Sequence, residues 1–292
     1  MAGWHIGVLG GSGLYELGGL DDVQQITVAS AFGEPSGPVT MGLLEGVRFT
    51  FLARHGSGHR LPPGAVNYRA NIDVLKRCGV TDVLALCAVG SLREDMAPGD
   101  FVVSDQFIDR TEGRARSFFG EGVTAHVSMA DPVCPRLAGL AAIAAEAAGA
   151  RVHRGGCYVA IEGPQFSTRA ESELYRQWGG SVIGMTAMPE ARLAREAELP
   201  YAVLGMVTDY DCWRSGEAVD AASILTVVRE NAGRARTTLA ELARSLPPDR
   251  VPSAVESALD DAILTPPAQW DGQLARRLDA VAAGYLRRRS GG

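Results

Sequence analysis

The chain has 292 residues, 46% hydrophobic and 21% charged, with a formal net charge of −6. That length suits one large α/β domain, or one domain with a short appendage, and the composition can bury a real core, which argues against a disordered chain. The acidic balance argues against general nucleic-acid binding, which needs a clustered basic surface, but leaves room for a local anion site.

The N-terminus, MAGWHIGVLGGSG, has neither a basic region nor a long apolar stretch, so no signal peptide is expected. No run reaches the roughly 18 uncharged apolar residues of a membrane span. The Ala-rich run Leu137–Ala150 is shorter and carries Glu146. A cytoplasmic protein without a membrane partner is expected. The five cysteines (Cys78, Cys87, Cys134, Cys157 and Cys212) show no CxxC spacing, so neither a zinc site nor a disulfide framework is indicated. Lys76 is the only lysine and falls late in an expected helix, which argues against a Schiff-base enzyme and a Walker-type NTPase.

In chain order, HIGVLG reads as a buried strand ending in a glycine loop, and VRFTFLARHG as a second strand that stops at basic residues. VNYRANIDVLKRCG is an amphipathic helix. VTDVLALCAVGS is an apolar strand running into a small-residue turn. FVVSDQFID, CYVAIEG, SVIGMT and YAVLGMVTDYD read as further strands. PRLAGLAAIAAEAAGA, RAESELYRQWG, PEARLAREAEL and ASILTVVRENAGRARTTLAELARSL read as helices. This alternation predicts a single-domain α/β fold with a mixed, mainly parallel central sheet flanked by helices. The compact pattern ends near Leu246. From Pro247 a proline-flanked short helical pattern and a final basic helix, GQLARRLDAVAAGYLRRR, read as an appendage on the core or on a neighbouring subunit.

Several expected strands end in small or polar residues: Gly11-Ser12-Gly13, Arg54-His55, Ala88–Ser91, Glu162-Gly163, Met185-Thr186 and Asp209–Asp211. Ligands of open α/β sheets bind outside the carboxyl ends of the strands, so these groups could converge on one pocket. Gly10–Gly13 reads equally as an anion cradle or as a tight turn. A dinucleotide fingerprint would want a third glycine where Glu16 stands. Arg54-His55 reads as a two-pronged phosphate grip or as a surface ion pair. Phe166 reads as a base-stacking ring or a core anchor. Asp209 and Asp211, two apart on an extended segment, would point the same way, and close like charges would raise one pKa into a proton-donating range. A helix cap, a metal-ligand pair and a solvated loop remain open for them; no third metal ligand stands nearby in sequence.

Together these segments resemble the methylthioadenosine phosphorylases of the trimeric purine-nucleoside phosphorylase family. The matching stretches are IGVLGGSGLY, FLARHGSGH, VNYRANIDVLK, AVGSLREDMAPGD, DQFIDRT, SMADPVCP, IEGPQFSTRAES, IGMTAMPEARLAREAELPYA and TDYDCW, over roughly residues 4–245. The resemblance implies the nucleoside phosphorylase fold for residues 1–246, with 247–292 as a helical appendage. It implies a phosphate subsite of Ser12, Arg54, His55, the Ala88 N–H and Thr186. Ribose would meet Met185, the purine would meet Phe166, Ser167, Asp209 and Asp211, and the 5' substituent would meet His126, Ala221 and Ile224. In the family the histidine at the position of His126 comes from the adjacent subunit, which implies a homotrimer. Three departures stand out: Cys87 where the family often has threonine, Ala221 where larger aliphatics also occur, and a loosely placed 5'-pocket segment around Ser257–Thr265.

The implied reaction is phosphate-dependent cleavage of 5'-deoxy-5'-(methylthio)adenosine to adenine and 5-methylthioribose 1-phosphate. It needs no metal or other cofactor, phosphate being a co-substrate. Another 5'-modified adenosine, such as a 5'-halo-5'-deoxyadenosine, or a 6-oxopurine nucleoside is the alternative substrate. The 6-oxo-selective relatives tend to carry asparagine in this strand. A water-using nucleosidase, a non-catalytic nucleoside-binding protein and a dinucleotide oxidoreductase are rivals. The phosphate donors, the acid pair and the glycine spacing, respectively, count against them.

Overall fold

Because its apolar runs are short and separated by helical patterns, the chain builds a sheet with helices on both faces. The structure, a computed structural model, describes residues 3–11, 19–214 and 221–290, without the side chains of 221–223 and 225. The strands are β1 (His5–Gly10), β2 (Asp21–Ile26), β3 (Val39–Leu44), β4 (Val47–Ala53), β5 (Asp82–Ser91), β6 (Phe101–Ser104), β7 (Gln106–Arg110), β8 (Val152–Arg154), β9 (Cys157–Ile161), β10 (Gly180–Gly184) and β11 (Tyr201–Asp209). They form one mixed, mainly parallel sheet in the order β2-β3-β4-β1-β5-β10-β9-β7. β11 lies along the other edge of β5 and leads through β6 to β8.

β5 is the strand on which both branches hinge. Its residues Asp82–Cys87 are buried without interruption, as expected of a strand covered on both faces. Helices α1 (Tyr68–Arg77), α2 (Pro135–Ala147), α3 (Arg169–Gln177), α4 (Ala187–Glu196) and α5 (Ala221–Ser245) flank the sheet. Their starts follow local chemistry. Asn67 accepts from Ala70 N–H to cap α1, and Thr168 with Glu171 forms a reciprocal capping box on α3. α1 and α4 cover one face and α2 and α5 the other, each over its own apolar cluster. No helix among the described residues is long and apolar enough to cross a membrane.

Two expectations are corrected, and one feature was not foreseen. FVVSDQFID is not one strand but two, β6 and β7, joined at Asp105, whose carboxylate accepts from Gly156 N–H at 3.0 Å. The break sends the chain from the β11 branch of the sheet to the β9 branch. The antiparallel pair β2–β3 was not foreseen, since β2 (DDVQQI) is almost wholly exposed and carries no apolar alternation. The final basic helix is α6 (Gly272–Arg277) and α7 (Ala283–Ser290), separated by a turn. That turn inserts Leu278, Val281 and Ala282 into the cluster beneath α1 and α4.

The segment after Leu246 packs on its own chain. Arg250 pairs with buried Asp82 at 2.6 Å, Arg77 with Asp279 at 2.5 Å, and Arg288 with Glu198. Leu278→Ala removes a fully buried side chain and is expected to cost about 2–5 kcal/mol in denaturant unfolding. A cost below about 0.5 kcal/mol, the range of surface changes, would place the tail outside the cooperative unit.

Candidate active site

The site begins as an interruption in strand pairing. β1 follows β5 as far as Leu9 opposite Ala85. β10 meets β5 only at Gly90 and Ser91, while β11 occupies the opposite edge from Val83 to Gly90. Between Ala85 and Gly90 the first edge of β5 therefore has no strand beside it among the described residues. A cavity of about 460 Å³ opens there. N–H and C=O groups alternate between the two edges of a strand. Leu86 presents its carbonyl to Arg54 on the open edge, so Ala88, two residues on, turns its N–H to the same side, and it is exposed in the cavity.

Arg54, just past the end of β4, closes the split between β1 and β5. Its Nη2 donates to the Leu9 carbonyl at 3.1 Å and its Nη1 to the Leu86 carbonyl at 3.3 Å. The two-pronged phosphate grip expected of it is not what the structure shows. Nε donates to Glu190 Oε1 at 2.6 Å and Nη2 to Glu190 Oε2 at 3.1 Å, so the fork is closed on a carboxylate. Arg54 is 1% exposed and Glu190 fully buried. Burial opposes the charge of Arg54, yet Glu190 holds its pKa well above the ordinary value.

His55 follows into the cavity and stacks on His59 with ring centroids 4.1 Å apart. Its Nδ1 lies 2.8 Å from the Leu61 carbonyl. A carbonyl only accepts, so Nδ1 carries the proton and Nε2 of the neutral ring is an acceptor. Burial, and then the Arg54 charge, push the imidazole pKa down to about 4. Thr186, the residue before α4, completes this end, with its Oγ1 3.5 Å from Cys87 Sγ.

At the far end of the open edge stand the carboxylates. Leu86 to Gly90 spans roughly 13 Å at strand spacing. Asp209 ends β11, but Asp211 lies in a turn with φ 52°, so the two are not on one extended segment as expected. The turn itself joins them. Asp209 Oδ1 accepts from the Asp211 N–H at 2.7 Å, and Oδ2 accepts from Thr208 Oγ1 at 2.6 Å. Asp211 is 4% exposed, and its pKa is raised, chiefly by burial, with the Asp209 charge adding and the Ser172 hydroxyl opposing. Asp211 Oδ2 and Ser167 Oγ are buried and have no hydrogen-bond partner among the described residues. Both residues line the cavity, so they are placed to receive a polar ligand.

Met185, Phe166 and Ile224 also line the cavity, and Phe166 is half exposed. Met185 is held from behind by Arg114. Its Nη1 donates to the Met185 and Met188 carbonyls at 2.6 and 2.8 Å, and its Nη2 to the Glu162 carbonyl at 2.7 Å. This one guanidinium ties the ends of β9 and β10 to the start of α4. Neither Arg114 nor Glu190 was singled out in the sequence. Glu190 carries only the ordinary mark of an acid in the first turn of a helix, 136 residues from its partner.

The remaining expected residues fall elsewhere. Ser12 lies outside the described residues, and Ala221 is described only as backbone at the start of α5. His126 is exposed, away from the cavity of its own chain; its N–H donates to the Ala262 carbonyl. No cluster of three or more His, Cys, Asp or Glu suited to a metal ion occurs among the described residues.

The cavity lies at strand carboxyl ends, where open α/β sheets bind ligands, with Arg54 and Thr186 at one end and half-buried Asp209 beside buried Asp211 at the other. The family model of the phosphorylase superfamily matches residues 5–246, and the chain belongs to that superfamily. An S-methyl-5'-thioadenosine phosphorylase of Bradyrhizobium diazoefficiens is 53% identical over 285 residues, 97% of this chain and 98% of that one. The crystal structure of a methylthioadenosine phosphorylase from an Antarctic soil metagenomic library matches with a TM-score of 0.91 at 43% identity, covering 96% of this chain and 99% of that one. The methylthioadenosine phosphorylase of Schistosoma mansoni, in complex with adenine, matches with a TM-score of 0.78 at 39% identity, over 82% of this chain and 91% of that one.

In the unfolded chain a histidine protonates near 6.5, against about 4 for His55 in the fold. This group therefore costs stability as pH falls from about 6.5 toward 4 and is silent above that window. An NMR titration of the ligand-free protein is expected to show the Nδ1–H tautomer and no midpoint above about 5 for His55. A midpoint near 6.5 contradicts the burial and the tautomer.

Proposed function

We propose that this chain cleaves the glycosidic bond of 5'-deoxy-5'-(methylthio)adenosine with inorganic phosphate, giving adenine and 5-methylthioribose 1-phosphate. The observation that carries this reading is the pairing, within one cavity, of the Arg54 end with the Asp209–Asp211 end across the open edge of β5. The relatives' names point the same way.

Phosphate binds at the first end, to Arg54 Nη1, the Ala88 N–H, Thr186 and His55, with Ser12 added from the glycine loop. His55 Nε2, an acceptor in the neutral ring, receives a proton from a phosphate monoanion or is protonated as the dianion binds. Ribose lies along Met185. The purine packs on Phe166 and meets Ser167 and the acid pair. The C1'–N9 bond breaks toward an oxocarbenium-like sugar, a phosphate oxygen attacks C1', and the electrons of the broken bond pass to the purine, whose N7 takes a proton. Asp209, in its protonated form, gives that proton to N7 and is left as the carboxylate, and Asp211 faces the 6-amino group. Burial raises the Asp211 pKa above the ordinary carboxylate value, and the Asp209 charge adds to the rise. Phosphate itself is the nucleophile, so the reaction calls for no metal or redox cofactor.

The active form is a homotrimer in the cytoplasm. Exposed His126 reaches the cavity of a neighbouring subunit, where it joins Ala221 and Ile224 around the 5' substituent. An apolar pocket separates substituents differing by one methylene by only about 1–3 kcal/mol. 5'-Halo-5'-deoxyadenosines are accordingly substrates too.

Asp209→Asn is expected to lower kcat about 10²–10⁴-fold while thermal unfolding and oligomeric state stay native. In the native protein, 5'-methylthioadenosine is expected to exceed inosine in kcat/KM by about 10⁴, because a carboxylate cannot pair with a 6-oxo group. Near-native turnover in Asp209→Asn would remove Asp209 from the proton-donating role, and equal use of inosine would overturn the base assignment.

A further inference from the structure

We infer that Glu190 is a positioning residue for the anion end of the cavity: it turns the Arg54 guanidinium so that Nη1 alone offers an N–H to bound phosphate. The inference rests on the reading of Arg54 as a phosphate ligand.

Guanidinium carries five N–H donors in a fixed fork. Four are committed here: Nε and one Nη2 hydrogen to Glu190, the other Nη2 hydrogen to the Leu9 carbonyl, and one Nη1 hydrogen to the Leu86 carbonyl. The fifth, on Nη1, remains on the side of the glycine loop, where a Cβ built on Gly11 would stand 3.7 Å from Nη1. Gly11 and Arg54 line the cavity and Glu190 does not, so Glu190 reaches a ligand only through Arg54. Glu190 is fixed in turn by Tyr201, whose fully buried hydroxyl donates to Oε2 at 3.1 Å.

This arrangement has two consequences for an anion. Phosphate meets an ion pair that is close to neutral, so its affinity is set by directed single donors and not by an unpaired cation. The direction of that one Arg54 donor depends on the carboxylate behind it. A glutamine at 190 keeps the size of the side chain but sets an amide NH₂ against one prong of the fork, and the guanidinium must turn to avoid it.

The test is steady-state kinetics of E190Q, E190D and Y201F, varying phosphate and nucleoside separately, with thermal melting of each variant and calorimetric adenine binding. E190Q is expected to raise the phosphate KM about tenfold or more, the size of one lost charge-assisted hydrogen bond. The nucleoside KM and adenine Kd stay within about a factor of two. E190D, which keeps the charge but draws the carboxylate back, and Y201F, which frees Glu190 to shift, raise the phosphate KM by smaller amounts in the same direction. A merely structural ion pair would lower the melting temperature and leave phosphate KM unchanged. That result in soluble E190Q overturns the inference; should E190Q fail to fold, unchanged phosphate KM in both E190D and Y201F does so. Native activity that depends on phosphate, with variants indifferent to it, removes the role of Glu190 alone. Adenine release by the native protein that ignores phosphate overturns the phosphorylase reading together with it.

Discussion

The split between β1 and β5, and the guanidinium that plugs it, is the feature on which the rest of this structure depends. Two adjacent parallel strands that diverge leave carbonyls without ladder partners, and a buried unpaired carbonyl costs about 1–3 kcal/mol. Arg54 answers for Leu9 and Leu86 at once. A buried cation is tolerable only when paired, and Glu190 supplies the pair; breaking such a pair from one side typically costs about 3–5 kcal/mol. The opening in the sheet, the exposed Ala88 and the cavity-lining Arg54 are thus one construction. The group that repairs the backbone also lines the cavity.

The cavity is polarised along the strand that was opened. At the Leu86 end stand Arg54, His55, Thr186 and the Ala88 N–H. At the Gly90 end stand Asp209 and Asp211, with Ser167 brought close where its carbonyl accepts from Cys212 Sγ at 3.2 Å. A Cβ on Gly90 would lie 3.0 Å from both Asp209 Oδ1 and Ile183, so the absence of a side chain there keeps the acid end open. Arg114 stiffens the wall between the ends by holding the carbonyls of Glu162, Met185 and Met188 in one grip. An anionic nucleophile at one end and a leaving group that gains electrons and takes a proton at the other would match that gradient.

Much of this was legible in the sequence because the signals are local. Strand and helix alternation, read from HIGVLG to YAVLGMVTD, gave β1, β4, β5, β9, β10, β11 and the five flanking helices, and with them the strand ends that meet in the cavity. What was not legible is long-range or comes from the turn geometry. Glu190 looks like any acid at a helix start until the fold sets it against Arg54. The spacing of Asp209 and Asp211 suggested a shared strand face, whereas the positive φ at Asp211 brings them together through a turn. β2 has no apolar pattern to read, and β8 is three residues long. The final basic helix breaks where tertiary burial of Leu278, Val281 and Ala282 outweighs its continuous helical propensity.

The central claim is that an anion held at the Leu86 end becomes bonded to the sugar as the purine leaves at the Gly90 end. Phosphorus NMR of a reaction with 5'-methylthioadenosine and phosphate tests it directly. A sugar 1-phosphate resonance growing in step with adenine, one for one, is the expected result. Adenine accumulating beside unchanged inorganic phosphate would mean that water is the nucleophile and that the anion end of the cavity serves another purpose.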